Sequence, residues 1–548
     1  MPAATPVRRL DLPVRDGVWR LAEGSGVDYL DGAEELVAAV LRTAADRSST
    51  SDELHFAAGS WAERYHLCRG RANVLRAVDL PADAAVLEIG AGCGAISRYL
   101  GERVGVLDAV EPVPARAEVA AVATGHLPNV RVFTGTVDDL PDEPGYDVAV
   151  VVGVLEYVGG GSRDPQPYLD FLTAIRRRLA PGGLLCLAIE NQFGVKYLAG
   201  APEDHTGRQW DGPQGYPDGG RARTFGRKPL TALLTAAGFD VHTVLGCFPD
   251  YKITRAVLAP ALLERYPFLA KSLPVLPSPD RGQDAHRAMD ESRLWAELVD
   301  AGQAEDNPNS FLVLAGTGPA GRTPWPTDRL AVYFNTDRAS RWCTRAEVSA
   351  TATGAEVVRT RLVGTASDDD GAVALRSYRE PIQPAPTMVG VLLDQPWRAA
   401  ELLCRWRDLV LSAETTPRPG LWDLVPHNVL VTEDGLLPID LEWEVSDATP
   451  ADVLARGLLL TADRLAAAGW SGAGERTTVW ELACWLGVVV GLDPSFVDEA
   501  LEREARFQAV SVAGAGVGQR RETEYLKAAL RKRFAEFVSD RQEERARA

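Results

Sequence analysis

The chain has 548 residues, 46% of them hydrophobic, and 58 Lys and Arg against 76 Asp and Glu give a formal charge of −18. The length exceeds one ordinary core and predicts two domains. The acidic balance argues against nucleic acid as substrate or partner, because phosphate binding needs dense Lys and Arg. The longest apolar run, residues 148–155, is too short to span a bilayer. The amino terminus lacks the apolar core of a secretory signal. Seven cysteines without a C-x-x-C pair read as thiols of a reducing, cytoplasmic compartment.

Residues 1–55 read as a helical leader, with Leu36, Val37, Val40 and Leu41 at helical spacing. Residues 61–76 deliver the chain to the first strand, so Tyr65 and His66 either wall a ligand cleft or cap a core. A short apolar strand at 86–89 then runs into Gly90, Gly92 and Gly94, and Ile96, Tyr99 and Leu100 begin a helix. Glycines there serve a tight turn with a ligand laid against bare backbone. Exposed N–H groups at the helix start would favour an anionic group. A second strand, 105–110, ends in Glu111, a carboxylate placed where a nucleoside's ribose hydroxyls are held. Strands follow at 130–133, 147–152 and 184–189, alternating with helices. The continuous β-branched run at 147–152 is that of a strand buried on both faces.

The loop at 190–207 is dense in Asn, Lys, Glu, Asp and His, and it leaves the end of a strand where an open parallel sheet binds ligands. It is the candidate acceptor site. Transfer to a hydroxyl oxygen needs a proton acceptor. His205 suits that task, with Asp204 to orient it or act itself. The alternative is a loop tied down by local hydrogen bonds. A sixth strand is expected at 241–247 and an antiparallel seventh at 310–314, with a mostly helical insertion over 259–309 between them. Residues 316–326, rich in Gly, Pro and Thr, mark the domain boundary. Beyond it, 330–335 and 357–362 read as strands of a small antiparallel sheet, and 453–468, 478–492, 496–507 and 522–537 as helices.

The G-x-G-x-G spacing, with Glu88 two residues before the first glycine, resembles motif I of the class I S-adenosylmethionine (SAM)-dependent methyltransferases. The resemblance implies an α/β fold with a seven-stranded Rossmann-like sheet over 56–317. It also implies that Glu88, Gly90, Ala91, Gly92 and Gly94 receive the methionine part of SAM and that Glu111 holds the ribose. Thr136 and Val137 would lie at the adenine, although Thr136 stands where the family has an acid. Gly153 and Leu155 would line the cofactor where the methyl group meets the substrate. Glu156, Tyr157, Asn191 and Lys196 would contact the acceptor, with Tyr65 and His66 as the lid. No metal-ligand spacing appears in this domain, so metal-free transfer is expected.

In the second domain, 327–548, Asp423, Asn428 and Asp440 resemble the catalytic and metal-binding loops of kinase-like phosphotransferases such as the aminoglycoside phosphotransferases. An active member would take Mg2+ and ATP. Here Leu421–Trp422 replace the usual His-Gly, no glycine-rich phosphate loop is evident, and Arg359 and Arg361 stand where a lysine should reach the phosphates. These departures favour a degenerate module that docks a glycan or a partner. The pairing of motifs resembles bacterial two-domain methyltransferases of polysaccharide and glycoconjugate assembly. It implies O-methylation of a sugar hydroxyl and contact with other glycan-assembly enzymes. A bifunctional kinase/methyltransferase and a methyltransferase of secondary metabolites are the alternatives, and the oligomeric state stays open.

Overall fold

The computed structural model describes residues 5–22, 29–279, 287–318, 324–364, 372–414, 419–468, 470, 472, 477–513 and 519–538. The chain divides into two units, residues 1–334 with 347–350, and residues 335–346 with 351–548.

The first unit is built on strands β1 (Ala85–Ile89), β2 (Val106–Glu111), β3 (Val130–Thr134), β4 (Tyr146–Val152), β5 (Leu179–Glu190), β6 (Asp240–Phe248) and β7 (Ser310–Gly316). Their order across the sheet is β3-β2-β1-β4-β5-β7-β6. The first five are parallel. β7 runs antiparallel to both neighbours, placing Phe311 opposite Ile189 on one side and Gly246 on the other. Parallel strands need helices on both faces, hence the uninterrupted apolar run of β4. On one face α1 (Glu34–Thr43) packs Val37 and Leu41 against Val119 and Ala123 of α3 (Pro114–Thr124), which follows α2 (Ala95–Gly101). On the other, Leu172 and Ile175 of α4 (Gln166–Arg178) and Leu230 and Leu234 of α5 (Arg227–Ala236) close over the strands. This is an α/β fold on a large mixed sheet.

The sheet does not stop at seven strands. The leader, expected to be helical, also contributes Val18–Arg20, which pairs parallel with β3 and buries Trp19 against Phe133, ring centroids 6.0 Å apart. Arg8 reaches the buried Asp108 of β2 at 2.7 Å. At the other edge Ala256–Leu258 pairs with β6 and with Arg329–Asn335. The strand at 330–335, read as part of the second domain, therefore extends the first unit's sheet, because Ala331 finds its hydrogen-bonding partner in Leu258. β5 starts at Leu179, five residues before the strand expected at 184–189, and so includes Pro181–Gly183. Between β6 and β7 the described elements are that short strand and helices Pro260–Arg265, Pro267–Ser272 and Glu291–Asp300. Trp295 is their buried anchor, its indole N–H donating to the Ala270 carbonyl at 2.9 Å.

The second unit holds an antiparallel pair, Gly354–Arg361 with Tyr378–Pro381, and a hairpin, Val429–Val431 with Leu436–Pro438. Helices Ala399–Leu411, Pro450–Ala467, Val479–Val490, Phe496–Ala513 and Gln519–Phe534 pack around buried Trp342, Trp406 and Trp422. None of the seven cysteines forms a disulfide. No helix among the described residues is long and apolar enough to cross a membrane.

Candidate active site

The glycine loop joins β1 to α2, and its conformation explains its sequence. Gly90, Gly92 and Gly94 all have positive φ, at 78°, 55° and 81°. That backbone suits glycine and strains any residue with a Cβ. Their reasons differ. A Cβ at Gly90 would lie 2.4 Å from Cγ2 of Val154, so this glycine lets the tips of β1 and β4 touch. One at Gly94 would press on the Ala120 backbone at 3.0 Å. At Gly92 nothing comes nearer than Arg116 at 3.7 Å, so its bare backbone faces space that a ligand can enter.

The amides of the loop itself are largely engaged within the protein. Gly90 and Ala91 donate to the Val110 carbonyl at 2.8 and 3.1 Å, and Gly94 donates to Ala91 at 3.0 Å. Gly92 donates to Glu111 Oε2 at 2.7 Å, and Val113 to Glu111 Oε1 at 3.0 Å. The loop is shaped by its own hydrogen bonds, and Glu111 is held at the tip of β2. Burial pushes the Glu111 carboxyl up, against the pull of Arg116. Glu88, on β1 beneath the loop, is 3% exposed and accepts from Ser97 Oγ at 2.6 Å. Burial pushes it up to about 8 despite that bond.

Asp31 bridges His66 at 2.7 Å and Arg116 at 3.4 Å. His66 is therefore a buried partner of Asp31 on the glycine-loop side. Tyr65 accepts from Arg71 at 2.9 Å, and the same guanidinium reaches the Tyr251 carbonyl at 3.3 Å. Thr136 caps the turn Val137–Asp139 through Asp139, so its hydroxyl has a structural partner. Val137 and Leu155 are buried apolar side chains, 3% and 1% exposed, that could meet a ligand only through backbone. Gly153 has φ 71° and accommodates the Tyr251 ring, whose hydroxyl would sit 2.4 Å from a Cβ there.

The acceptor side forms where β4 and β5 end. Glu156 lies on the turn Leu155–Val158 after β4, Glu190 closes β5, and both are fully buried. The loop beyond β5 is pinned by Glu203, whose Oε2 accepts from the amides of His205 and Thr206, both at 2.8 Å. That pin aims the His205 ring back at the strand ends. Its Nδ1 is 3.1 Å from the Tyr157 hydroxyl and its Nε2 is 3.7 Å from Glu190 Oε2. Burial works against a charged imidazole, but Glu190 outweighs it and holds His205 up to about 9.

The contacts here differ from the expected ones. Asp204 does not orient His205. Its carboxylate lies between Lys196, at 3.0 Å, and Lys252, which also pairs with Glu190. These lysines overcome burial and hold Asp204 well below the usual carboxylate range. Glu190, not Asp204, is the carboxylate facing the His205 ring. Asn191, expected at the acceptor, has a structural role. It is fully buried and ties β5 to the approach of β7 by donating to the Asp306 and Pro308 carbonyls at 2.9 and 2.7 Å.

Residues that sequence reasoning missed are Glu190, Tyr251 and Lys252. Tyr251 donates to Glu156 Oε1 at 3.3 Å, and Lys252 joins Glu190 to Asp204. Neither has a motif, and the run from Tyr251 into Lys252 looked only like a turn out of the sheet. Metal-ligand spacing was also absent, yet Glu156, Glu190 and His205 meet in space from three separate segments.

Residues 60–244 match a family model described as a methyltransferase domain. Over those residues the chain is similar to methyltransferase domains. A search of curated proteins found no match. Among solved structures, the chain is similar to a SAM-dependent methyltransferase from Thermotoga maritima at 19% identity, covering 46% of this chain and 91% of that one, TM-score 0.27. It is similar to another from Mesorhizobium loti at 18% identity, covering 45% and 97%, TM-score 0.27. A third is phosphoethanolamine N-methyltransferase 2 of Haemonchus contortus bound to S-adenosylhomocysteine, at 15% identity, 45% and 52% coverage and TM-score 0.27.

In the second unit, the acids picked out by sequence have protein partners. Asp423 Oδ2 accepts from the amides of Glu442 and Trp443 at 2.9 and 2.7 Å, and Oδ1 faces Arg456 at 3.4 Å. Asp440 is paired with Arg359 at 2.6 Å. Asn428 donates to the carbonyls of Asp423 and Asp440 at 3.2 and 3.4 Å. Burial pushes Asp423 up to about 7 and also raises Asp440, against their arginines.

Proposed function

We propose that the chain O-methylates a sugar hydroxyl of a glycan or glycoconjugate, with SAM held between Gly90–Gly94 and Glu111. The observation that carries this reading is the polar cluster at the ends of β4 and β5, directly beyond Gly153. Bound at the glycine loop, SAM would supply an electrophilic methyl group. The residues fit it: an open face at Gly92, a buried acid at the tip of β2, and in Glu88 a second buried acid that a cationic ammonium would favour ionising. Glu111 would exchange part of its bonding to Gly92 and Val113 for the ribose hydroxyls. Tyr157, exposed at 37%, and the His205 ring edge would receive the acceptor. Alignment of the two reactants would supply most of the acceleration.

A sugar is supported by the motif pairing and by the polarity of the cluster, which offers hydrogen bonds to hydroxyls. The test is transfer of labelled methyl from SAM to a panel of saccharides, phenols and amines, using the full chain. Labelling of saccharides alone supports the reading, and labelling confined to phenols or amines replaces it with a secondary-metabolite enzyme. For the second unit we propose a docking role without phosphoryl transfer, because Arg359 takes the place beside Asp440 that a metal ion would need.

A further inference from the structure

We propose that Glu156, Glu190 and His205 form a binding site for a divalent first-row transition-metal cation at the acceptor end of the methyltransferase domain. Each side chain offers one ligand atom, and the three atoms lie within 4.8 Å of one another. Ligands on one ion at bonds of about 2.1 Å stand roughly 3 to 3.5 Å apart, so modest rotation of the side chains closes the set. The Nε2 of His205 and Oε2 of Glu190 are already 3.7 Å apart.

The second observation is that the cluster is unsatisfied. Glu156 and Glu190 are both fully buried, and Oε2 of each, together with His205 Nε2, has no hydrogen-bond partner. An orphaned buried carboxylate oxygen costs about 1–3 kcal/mol or more, and three converging orphans ask for a shared partner. The remaining atoms of the same side chains are held from outside. Tyr251 holds Glu156 Oε1, Lys252 holds Glu190 Oε1, and Tyr157 holds His205 Nδ1. This outer layer fixes the direction of each ligand, as second-layer groups do around metals, and sets the imidazole to offer Nε2.

Charge agrees. The three carboxylates here, counting Asp204, face two lysines, which leaves one negative charge when the imidazole is neutral. A divalent cation makes that one positive charge, and an alkoxide would cancel it. Two carboxylates with one imidazole suit Mn2+, Fe2+ or Zn2+ better than a soft or a purely oxygen-liking ion. Resting on the methyltransfer reading, the ion's role would be to bind the acceptor hydroxyl oxygen and acidify it, the proton leaving to solvent.

The test uses the full chain stripped with a chelator and titrated with Mn2+, followed by electron paramagnetic resonance, with SAM binding measured separately by calorimetry. The expected result is one Mn2+ per chain, weakened at least tenfold in Glu156→Gln and in His205→Gln, with SAM affinity within about twofold of wild type. Absence of stoichiometric Mn2+, or equal binding in both variants, overturns the site. In that case Glu156 and Glu190 share a proton. Mn2+ bound without SAM binding would sustain this site while sinking the methyltransfer reading, so the two failures are distinguishable.

Discussion

In the proposed cofactor site Glu111 is the residue on which SAM binding would turn, because its two oxygens already organise the loop through Gly92 and Val113. Glu111→Ala removes both the ribose acceptor and the brace of the loop. Charge-assisted hydrogen bonds contribute about 1.5–3 kcal/mol each. We therefore expect SAM affinity to fall by a factor of ten or more, read by calorimetry. Glu88 makes a different prediction. Its folded-state carboxyl is pushed up to about 8, above the ordinary value of 4.5, so the folded chain keeps a proton that the unfolded chain releases. Its contribution is intact below about 4.5 and is lost progressively as pH rises toward 8. Thermal unfolding of wild type against Glu88→Gln across that window should show the wild type losing Tm relative to the variant as pH rises. Parallel curves would contradict the assignment.

At the scale of elements, the junction of β1, β4 and the glycine loop is where backbone contact replaces side chains. Gly90→Ala sets a Cβ 2.4 Å from Val154 at a positive φ, and Gly153→Ala sets one 2.4 Å from the Tyr251 hydroxyl. Each should cost about 1–3 kcal/mol by overpacking, seen as a lower Tm. Gly160→Ala, with φ 55° and nothing within 4 Å, carries the backbone strain alone and should cost less. These elements were the legible part of the chain. Strands β1 to β4 and their helices follow from apolar runs, glycines and the acid at Glu111. What was not legible depends on chain segments far apart in sequence. Val18–Arg20 carries too few residues to show a period, yet joins β3 because Trp19 finds Phe133. The strand at 330–335 was recognised, but its partner at Ala256–Leu258 was not. In the acceptor site the nearest sequence neighbour, Asp204, was taken as the partner of His205, whereas the sheet delivers Glu190. Proximity in sequence was a poor guide because the ligand-facing groups sit at the ends of different strands.

For the whole molecule, the two units predict separable chemistry. Asp423 accepts from two backbone amides and faces Arg456, and Asp440 pairs with Arg359 where a nucleotide-bound ion would sit. Asp423→Asn and Asp440→Asn should therefore leave methyl transfer rates unchanged, and Mg2+ with ATP should give no heat on titration into the full chain. ATP binding that disappears in Asp440→Asn would instead show a working phosphotransferase.

The central claim is that the backbone around Gly92, with Glu111, holds SAM. Calorimetric titration of SAM into the full chain and into Gly92→Val tests it most directly. We predict one site per chain in the wild type and at least a tenfold loss in the variant, whose side chain fills the open face at a φ of 55°. No heat in the wild type, or equal affinity in the variant, would contradict the account.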